Sequence, residues 1–470
     1  MTTLTFYGGV NEIGGNKILL EDKDTKILLD FGKGFSKRSK YYEEYLKPRS
    51  SNGLMDFLRM GLIPNIRGVY RADLLQMAGM KAEEPDIDAA IISHAHADHV
   101  SYCSFLHEDI PLYMGHTSHL ILQALEERSN RDIEDEILNF KRRPIQRNDK
   151  PVYRNIKTFR TGDKLKIGSL EVEPVHVDHS IPGAYGIIVY TSEGAVVYTG
   201  DTRLHGSNPK MTRDFVEKAK EAKPVALITE GTRVKELNDG ASESRVKQSC
   251  SNIIRNTDKL VIADFSFKDV DRFRTFYSIA KENNRKLVIP LKEAFLLKWL
   301  SKDTILNVPA LNDDNIIVHI PKQKSGTYSE QDYGTKEREF INLANAWRAD
   351  KIKDKQGKVI CAFNFFSIDE LLDIGPELNS IYIHSASEPY NEEMEIDYQR
   401  LQSWIERFNL SLFQSHCSGH AYGDDLFDVV RQINAKTVFP VHTEYPASYR
   451  IVANTMIVEE GKRYDLGKTS

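Results

Sequence analysis

Six consecutive residues concentrate the metal-binding side chains of this chain in one short stretch. The run His94-Ala95-His96-Ala97-Asp98-His99 follows directly on the apolar residues 89–92. A spacing of two on an extended segment places His94 and His96 on the same side, with Asp98 and His99 beyond the bend. Imidazole nitrogens and carboxylate oxygens are ligands of zinc in proteins. Because the chain has only 14 histidines in 470 residues, this run indicates a metal site rather than a solvated turn.

Three further candidate ligands stand at the ends of predicted strands. His179 follows an apolar alternation over residues 172–177, Asp201 follows the strand 195–199, and His442 follows the strand 437–441. Taken singly, a histidine at a strand end is more often an ordinary surface or core residue. Together the three supply the ligand count that a two-ion site requires, and a carboxylate at Asp201 can bridge two ions.

The first half of the chain reads as short strands with a few helices between them. Apolar runs separated by glycine-rich or charged turns predict a β-meander over residues 1–32, and residues 33–82 read as an insertion. We predict a hairpin between strands 186–191 and 195–199. Helices are predicted at residues 41–46, 71–80, 118–127 and 215–222.

The pattern changes after Thr232. Between residues 261 and 383, apolar strands such as 286–290 and 358–363 alternate with helical stretches such as 270–283 and 336–350. Such alternation predicts a parallel sheet. A helix over 395–408 then leads back to a histidine-containing stretch. Since no low-complexity linker flanks this region, we expect it to be a domain inserted into another domain.

Composition excludes several classes of protein. Hydrophobic residues make up 40% and charged residues 28% of the chain, which is typical of a globular protein without membrane segments. No apolar run approaches the ~18 residues of a membrane span, and no signal peptide precedes the first strand. The four scattered cysteines argue against a disulfide framework and fit a reducing cytoplasm. The net charge of −5 is unusual for a nucleic-acid binder, although a local basic groove is compatible with it.

The metal-binding run resembles the HxHxDH signature of the metallo-β-lactamase fold, and other motifs resemble its β-CASP branch, which includes ribonuclease J. Gly8–Gly14 and Leu28–Gly32 are similar to the opening strands of that branch. Its motifs A, B and C are matched, in order, by Thr229-Glu230-Gly231-Thr232, Ser418-Gly419-His420-Ala421 and Pro440-Val441-His442-Thr443-Glu444. The resemblance covers nearly the whole chain.

This resemblance implies an α/β fold, a metallo-β-lactamase αββα sandwich with an inserted α/β β-CASP domain. The expected bounds are 1–232 and 406–470 for the metallo-β-lactamase domain and 233–405 for the β-CASP domain. The implied cofactor is a pair of zinc ions, with manganese as the alternative. One ion is held by His94, His96 and His179, the other by Asp98, His99 and His442, and Asp201 bridges them.

The resemblance also assigns the reaction and its catalytic residues. Two ions activate water for attack on phosphorus and neutralise charge in the transition state, so Asp98 counts as a catalytic residue as well as a ligand. His420 is the expected general acid, kept protonated by Glu230. We expect four further residues to contact phosphates: His416 and Ser418, which lie beside His420 in the sequence, and Ser385 and Ser387 on a predicted loop.

The implied substrate is single-stranded RNA, with a double strand cut poorly. A DNA nuclease of the same branch is one alternative, but its motif C usually carries an apolar residue where this chain has His442. A non-catalytic RNA-binding subunit is a second alternative, although no metal ligand is lost here. A small-molecule hydrolase would not need residues 233–405. Whether RNA is cut internally or from its 5′ end, and whether copies of the chain assemble into an oligomer, stays open.

Overall fold

The computed structural model describes residues 1–129, 132–146, 148–387 and 392–467. The chain divides into two compact units. The first contains residues 1–204, 208–239 and 419–470, and the second contains 205–207 and 240–418. The domain bounds predicted from sequence, 1–232, 233–405 and 406–470, stay a proposal. Residues 468–470, at the end of the last predicted range, lie outside the described part of the chain. Within the described ranges, no helix combines the length and hydrophobicity needed to cross a membrane.

The first unit is built on two sheets that share one core. The seven-stranded sheet has the spatial order Arg463–Asp465, Thr2–Gly8, Lys17–Asp22, Thr25–Phe31, Ala89–Ile92, Leu112–Gly115 and Ile156–Phe159. The six-stranded sheet has the order Thr437–Pro440, Ala226–Thr229, Gly194–Tyr198, Tyr185–Thr191, Leu170–His176 and Leu165–Ile167. Alternate apolar residues of both sheets, among them Leu4, Leu29 and Ile187, are fully buried in the core between them. A two-stranded ribbon pairs Asn139–Phe140 with Val152–Tyr153.

Helices cover the outer faces of these sheets. Helices Pro209–Glu221 and Gly423–Ile433 pack with the six-stranded sheet through a second buried cluster that includes Phe215 and Val430. Helix His116–Arg128 contacts two strands of the other sheet. The shorter α-helices are Phe35–Ser39, Met55–Arg59, Ala72–Met77 and Ala97–Val100, and the 3-10 turns are Ser50–Asn52, Ser101–Phe105 and Pro446–Ile451. This arrangement is the predicted αββα sandwich.

The second unit is an α/β unit around one parallel sheet. The spatial order of its strands is Ala346–Trp347, Ile316–His319, Lys286–Pro290, Val359–Cys361, Val261–Asp264, Ile381–His384 and Ser411–Gln414. Every pairing is parallel, as the alternation of strands and helices predicts. The α-helices are Glu243–Arg255, Val270–Glu282, Leu291–Leu300, Ala349–Lys353, Leu371–Ile374 and Glu392–Arg407; the 3-10 turns are Glu330–Asp332, Gln356–Lys358 and Phe365–Glu370.

Two predicted helices are wrong. Residues 336–350 form turns, the short strand Ala346–Trp347 and the start of helix Ala349–Lys353. Pairing of that strand with Val318 and His319 replaces the helical ladder, so tertiary pairing overrides helix propensity. Residues 41–46 also contain no helix. There the Glu43 amide donates to the Leu46 carbonyl at 3.0 Å, a bond that runs against the helical direction.

Candidate metal centre

Strand ends gather the candidate ligands at one edge of the first unit. Strands Gly194–Tyr198, Ala226–Thr229 and Thr437–Pro440 are parallel neighbours, so their carboxyl ends lie at the same edge. Asp201 and His442 follow two of these ends. Strand Leu170–His176, two antiparallel steps away, runs in the same direction and delivers His179 to this edge. The run that begins at His94 follows strand Ala89–Ile92 of the other sheet.

Three imidazoles converge with Asp201 on one side of the cluster. The Nδ1 atom of His96 lies 3.1 Å from Nε2 of His94 and 3.1 Å from Nε2 of His179. The Oδ2 atom of Asp201 lies 3.5 Å from His94 Nε2 and 3.8 Å from His179 Nε2. These four residues form one group of potential metal ligands whose ligand atoms lie within 4.8 Å of one another.

Asp98, His99 and His442 form a second group beside the first. The Oδ2 atom of Asp98 is 3.0 Å from His442 Nε2 and 3.8 Å from His99 Nε2. The Oδ2 atom of Asp201 also reaches this group, at 3.1 Å from His99 Nε2 and 3.7 Å from His442 Nε2. Asp201 therefore stands between the two groups, in the position that a bridging carboxylate needs.

Hydrogen bonds on the outer ring nitrogens orient four of these imidazoles. The Nδ1 atom of His99 lies 2.7 Å from Asp30 Oδ2. The Nδ1 atom of His94 lies 3.0 Å from Ser93 Oγ, and that of His442 lies 2.9 Å from Thr232 Oγ1. The Nδ1 atom of His179 lies 2.5 Å from the Gly419 carbonyl oxygen. In each case Nε2 is left facing the cluster, which is how partners outside a metal site orient histidine ligands.

Glycines allow the backbone to approach Asp98 closely. A Cβ atom at Gly32 would lie 1.7 Å from the Asp98 carbonyl oxygen. A Cβ atom at Gly14, whose φ is +79°, would lie 2.7 Å from Asp98 Oδ2. Larger side chains at either position would displace the loop that carries Asp98 and His99, so the sequence around both glycines serves the site.

Burial and neighbouring charges shift the pKa values of the ionisable groups in the cluster. Burial lowers the pKa of His94 and of His179 well below the usual value, so both imidazoles favour the neutral form that binds metal. At His99, burial also opposes protonation, but the carboxylates of Asp201, Asp98 and Asp30 outweigh it and raise the pKa. The pKa of Asp201 is held well below its usual value despite burial, because the imidazoles of His442, His99 and His420 surround it.

The residues fit a metal pair in two further respects. The Oδ1 atom of Asp201 is buried and has no hydrogen-bond partner, which is costly unless another group satisfies it. The ring nitrogens of His94, His96 and His179 face one another at hydrogen-bond distance with few protons to share. A metal cation bound among these side chains would accept lone pairs from the ring nitrogens and from Asp201. The donor set contains histidine and aspartate but no cysteine, which suits zinc or manganese.

Glu230 and His420 form a hydrogen-bonded pair beside the cluster. The Nδ1 atom of His420 lies 2.8 Å from Glu230 Oε2 and 3.9 Å from Asp201 Oδ2. Glu230 is held in place because its Oε1 accepts from the Thr202 amide at 2.6 Å and its Oε2 accepts from the Thr232 hydroxyl at 3.0 Å. Burial lowers the pKa of His420, but Glu230 and Asp201 outweigh it and raise that pKa to about 9. His420 is therefore protonated at neutral pH.

The four expected phosphate contacts lie in the second unit. Ser385 is buried, and its hydroxyl accepts from Arg272 at 2.6 Å and donates to the Ser415 carbonyl at 2.6 Å. His416 lies 3.3 Å from Arg272 Nη1, and burial lowers its pKa to about 3. Ser418 is buried with its carbonyl 2.8 Å from His205 Nε2, whereas Ser387 is exposed.

Sequence reasoning missed the residues that orient the ligands. Asp30 is fully buried at the end of strand Thr25–Phe31, and its φ of 58° turns the chain there. Its oxygens accept from Ser93 N, Ser93 Oγ and Tyr198 Oη, each at 2.7 Å, besides facing His99. A carboxylate that ends an apolar strand is the same signal that identified Asp201, and it was available at Asp30.

Comparisons with known proteins agree with this geometry. Residues 63–237 match the beta-lactamase superfamily domain, and residues 406–463 match the RNA specificity domain of Zn-dependent metallo-hydrolases. The chain is 23% identical to ribonuclease J of Pyrococcus abyssi over 100% of this chain and 94% of the relative. It is 23% identical to ribonuclease J of Mycobacterium tuberculosis over 97% of this chain and 72% of that protein.

A solved structure shares the fold. The crystal structure of a protein of unknown function from Enterococcus faecalis aligns with a TM-score of 0.75 at 23% identity, covering 98% of this chain and 99% of that one. The predicted metallo-β-lactamase fold and the resemblance to the β-CASP ribonuclease J group are thus confirmed. The matches also confirm the predicted enzyme class, a metal-dependent phosphodiesterase.

Proposed function

We propose that this chain is a ribonuclease that binds two zinc ions and hydrolyses phosphodiester bonds of single-stranded RNA. One observation carries the proposal: two groups of metal-competent side chains approach each other at Asp201, with the hydrogen-bonded pair His420–Glu230 beside them. His94, His96 and His179 would hold one ion, and Asp98, His99 and His442 the other. Manganese is the alternative metal, because the donor set contains nitrogen and oxygen atoms only.

The protein's own groups divide the work of the reaction. Two bound ions supply an activated nucleophile near neutral pH and positive charge for the phosphate oxygens. His420 donates a proton to the leaving 3′-oxygen, since it is protonated and partly exposed while its Nδ1 is occupied by Glu230. Glu230 fixes the ring and stabilises its charge. Asp98, 3.0 Å from His442 Nε2, would contribute to catalysis by holding the second ion together with that histidine.

RNA is favoured over DNA by two observations. Residues 406–463 match an RNA specificity domain, and two relatives with similarity over 97–100% of this chain are named ribonuclease J. Motif C also carries the histidine His442, whose Nε2 points at Asp98 within the cluster. A non-catalytic RNA-binding role is disfavoured, because the seven proposed ligands all belong to the two groups of side chains that could hold a metal.

The recessed position of the site favours a flexible strand. The side chains of His94, His99 and His442 are at most 1% exposed, whereas those of Asp98 and His420 are 17% and 22% exposed. The partly exposed side chains of His96, Asp98 and His420 therefore mark where a phosphodiester would reach the cluster. A single strand can bend its backbone into such a recess, while a stiff duplex presents its phosphates on a convex surface.

A cytoplasmic location is part of the proposal. The four cysteines, at positions 103, 250, 361 and 417, are buried and form no disulfide. Thiols that persist without pairing are typical of a reducing compartment.

Cleavage of matched RNA and DNA tests the proposal. We expect the zinc-loaded protein to cut 5′-labelled single-stranded RNA faster than DNA of the same sequence and faster than blunt RNA duplex, at one salt concentration. The product sizes distinguish internal cutting from trimming at the 5′ end. His420→Ala should lose most of this activity, whereas His116→Ala, which changes a histidine outside the cluster, should keep it. Equal rates on RNA and DNA, or no cleavage of either, would overturn the assignment.

A further inference from the structure

An exposed aromatic and basic stretch occupies the start of the insertion predicted at residues 33–82. We call residues 35–49 the aromatic-basic segment; it reads Phe-Ser-Lys-Arg-Ser-Lys-Tyr-Tyr-Glu-Glu-Tyr-Leu-Lys-Pro-Arg. Phe35 is 49%, Tyr41 48%, Tyr45 87% and Leu46 58% exposed. Tyr41 and Tyr45 are four residues apart, as on one face of a helix, yet residues 41–46 form no helix and no core receives these side chains.

Ion pairs hold the segment at both ends and leave its middle at the surface. Near its start, Arg38 Nη1 lies 2.5 Å from Glu134 Oε1, and Lys37 Nζ lies 2.6 Å from Glu460 Oε2. At its end, Arg49 Nη2 lies 2.8 Å from Asp56 Oδ1. The exposed aromatic rings therefore project from an anchored loop rather than from a free tail.

The segment follows strand Thr25–Phe31, and the residues just before it pack against the loop that carries Asp98 and His99. Gly32 packs directly on the carbonyl group of Asp98. The Lys33 amide donates to the Ala97 carbonyl at 3.0 Å, and the Ser36 hydroxyl donates to Glu12 Oε2 at 3.0 Å. Phe35 thus lies three residues beyond a backbone contact with Asp98, the partly exposed ligand at the proposed entrance of the site.

The charge of the segment is opposite to that of the chain. It contains five Lys or Arg residues and two Glu residues, a formal charge of +3, while the whole chain carries −5. Lys37, Arg38 and Arg49 are engaged in the ion pairs above. Lys40 and Lys47 are exposed and form no salt bridge within the described ranges, so their ammonium groups are available to an anionic partner.

We propose that the aromatic-basic segment is a contact surface for the single-stranded RNA substrate, with Tyr41 and Tyr45 stacking on bases and Lys40 and Lys47 contacting phosphates. This inference rests on the proposed ribonuclease function. Aromatic rings interleaved with cations are what sequence-tolerant recognition of single strands requires, because every base has a face for stacking. Because the residues just before the segment contact the loop that carries Asp98, a strand bound along the segment is held close to that loop.

Binding and cleavage by substituted full-length protein test the proposal. The probes are a single-stranded RNA of about 20 nucleotides, longer than one typical single-strand site, and bis(p-nitrophenyl) phosphate, which contains no base and reports the metal centre alone. We expect the double variant Tyr41→Ala/Tyr45→Ala to weaken RNA binding at least about tenfold, since each stacked base contributes a factor of that order. Its turnover of bis(p-nitrophenyl) phosphate should equal that of the parent.

The lysines are tested by salt dependence. For Lys40→Glu/Lys47→Glu, we expect the slope of log Kd against log salt concentration to fall by about 1.4, from about 0.7 for each lost phosphate contact on a single strand. Matched controls are Tyr153→Ala and Lys220→Glu, which change an exposed aromatic and an exposed lysine elsewhere in the same unit. Both controls should bind RNA as the parent does.

The possible outcomes separate this inference from the proposed function. If the parent cuts RNA and both double variants bind it normally, the segment is not an RNA surface. If the parent fails on RNA of every kind, the proposed function falls, and the inference falls with it. If the tyrosine variant changes the molar mass of the protein in light scattering while RNA binding is unchanged, the surface is an interface between copies of the chain and the proposal is overturned.

Discussion

Replacing Asp30 by asparagine should weaken the metal centre without touching a ligand. Asp30 is fully buried, and three groups face its Oδ2 atom: the ring of His99, the Ser93 hydroxyl and the Tyr198 hydroxyl, each at 2.7 Å. The Ser93 amide donates to Oδ1, also at 2.7 Å. Every neighbour of this carboxylate is a donor, so Asp30→Asn must turn its amide group toward at least one of them.

The expected loss of stability and of metal affinity follows from the number of hydrogen bonds that asparagine cannot accept. The best placement of asparagine keeps its oxygen toward the three groups at Oδ2 and sets its amide against the Ser93 amide. One lost charge-assisted hydrogen bond in a buried place costs about 1 to 3 kcal/mol of stability. His99 also loses the carboxylate that orients its ring, and such losses reduce metal affinity or activity by about 10- to 100-fold. We therefore expect weaker binding of the ion held by Asp98, His99 and His442.

Zinc titration against a chromophoric chelator measures this effect. The matched control is Asp22→Asn, which changes another buried carboxylate that accepts hydrogen bonds, from Thr2 and Ser192, away from the cluster. Both variants should lose thermal stability, but only Asp30→Asn should lose affinity for one of two ions. Equal zinc affinity in Asp30→Asn and the parent would refute the view that Asp30 positions His99.

Three further results are expected. His420→Ala should keep its metal content and slow RNA cleavage by about 10²- to 10⁴-fold, as loss of a general acid does; loss of metal, or near-normal turnover at neutral pH, would assign His420 another role. Glu230→Gln should lower the pKa of His420, which Glu230 and Asp201 raise to about 9. Because His420 acts as an acid in its protonated form, the fall of kcat/KM at high pH should begin at a lower pH in this variant than in the parent. An unchanged pH profile would contradict the role of Glu230 as the partner of His420. Removal of metal by a chelator should lower the melting temperature of the protein, since ligands that bind only the folded state stabilise it; an unchanged melting temperature would argue against a bound ion.

Local patterns predicted many of the strands and the run of candidate ligands, whereas the αββα sandwich was implied by the resemblance to the metallo-β-lactamase fold. Alternating apolar residues fixed the strands, and ligands at strand ends met because parallel neighbours share an edge. The same logic failed where contacts distant in sequence decide the structure. Residues 336–350 have helical periodicity, yet the Asn345 side chain donates to the carbonyls of Leu311 and Ile316, and the next residues join a strand.

The residues that orient the candidate metal ligands through hydrogen bonds were harder to predict than the ligands themselves. Asp30 and Tyr198 lie on strands of different sheets and meet only because the two sheets pack together. Thr232 contacts both His442 and Glu230 from a turn whose path no periodicity encodes. Metal ligands carry a signal in their residue types, whereas hydroxyl and carbonyl partners become visible only once the backbone is placed.

Metal stoichiometry tests the central claim most directly. The full-length protein is loaded with zinc, freed of excess metal by dialysis, and its zinc and protein contents are measured by elemental and amino-acid analysis. Two groups of potential ligands, the first containing Asp201 and the second approached by its Oδ2 atom, predict about two zinc ions per chain. This value should fall toward one when His442→Ala removes a ligand of the second group alone. A value below one ion per chain in the reloaded parent protein would contradict a two-metal site.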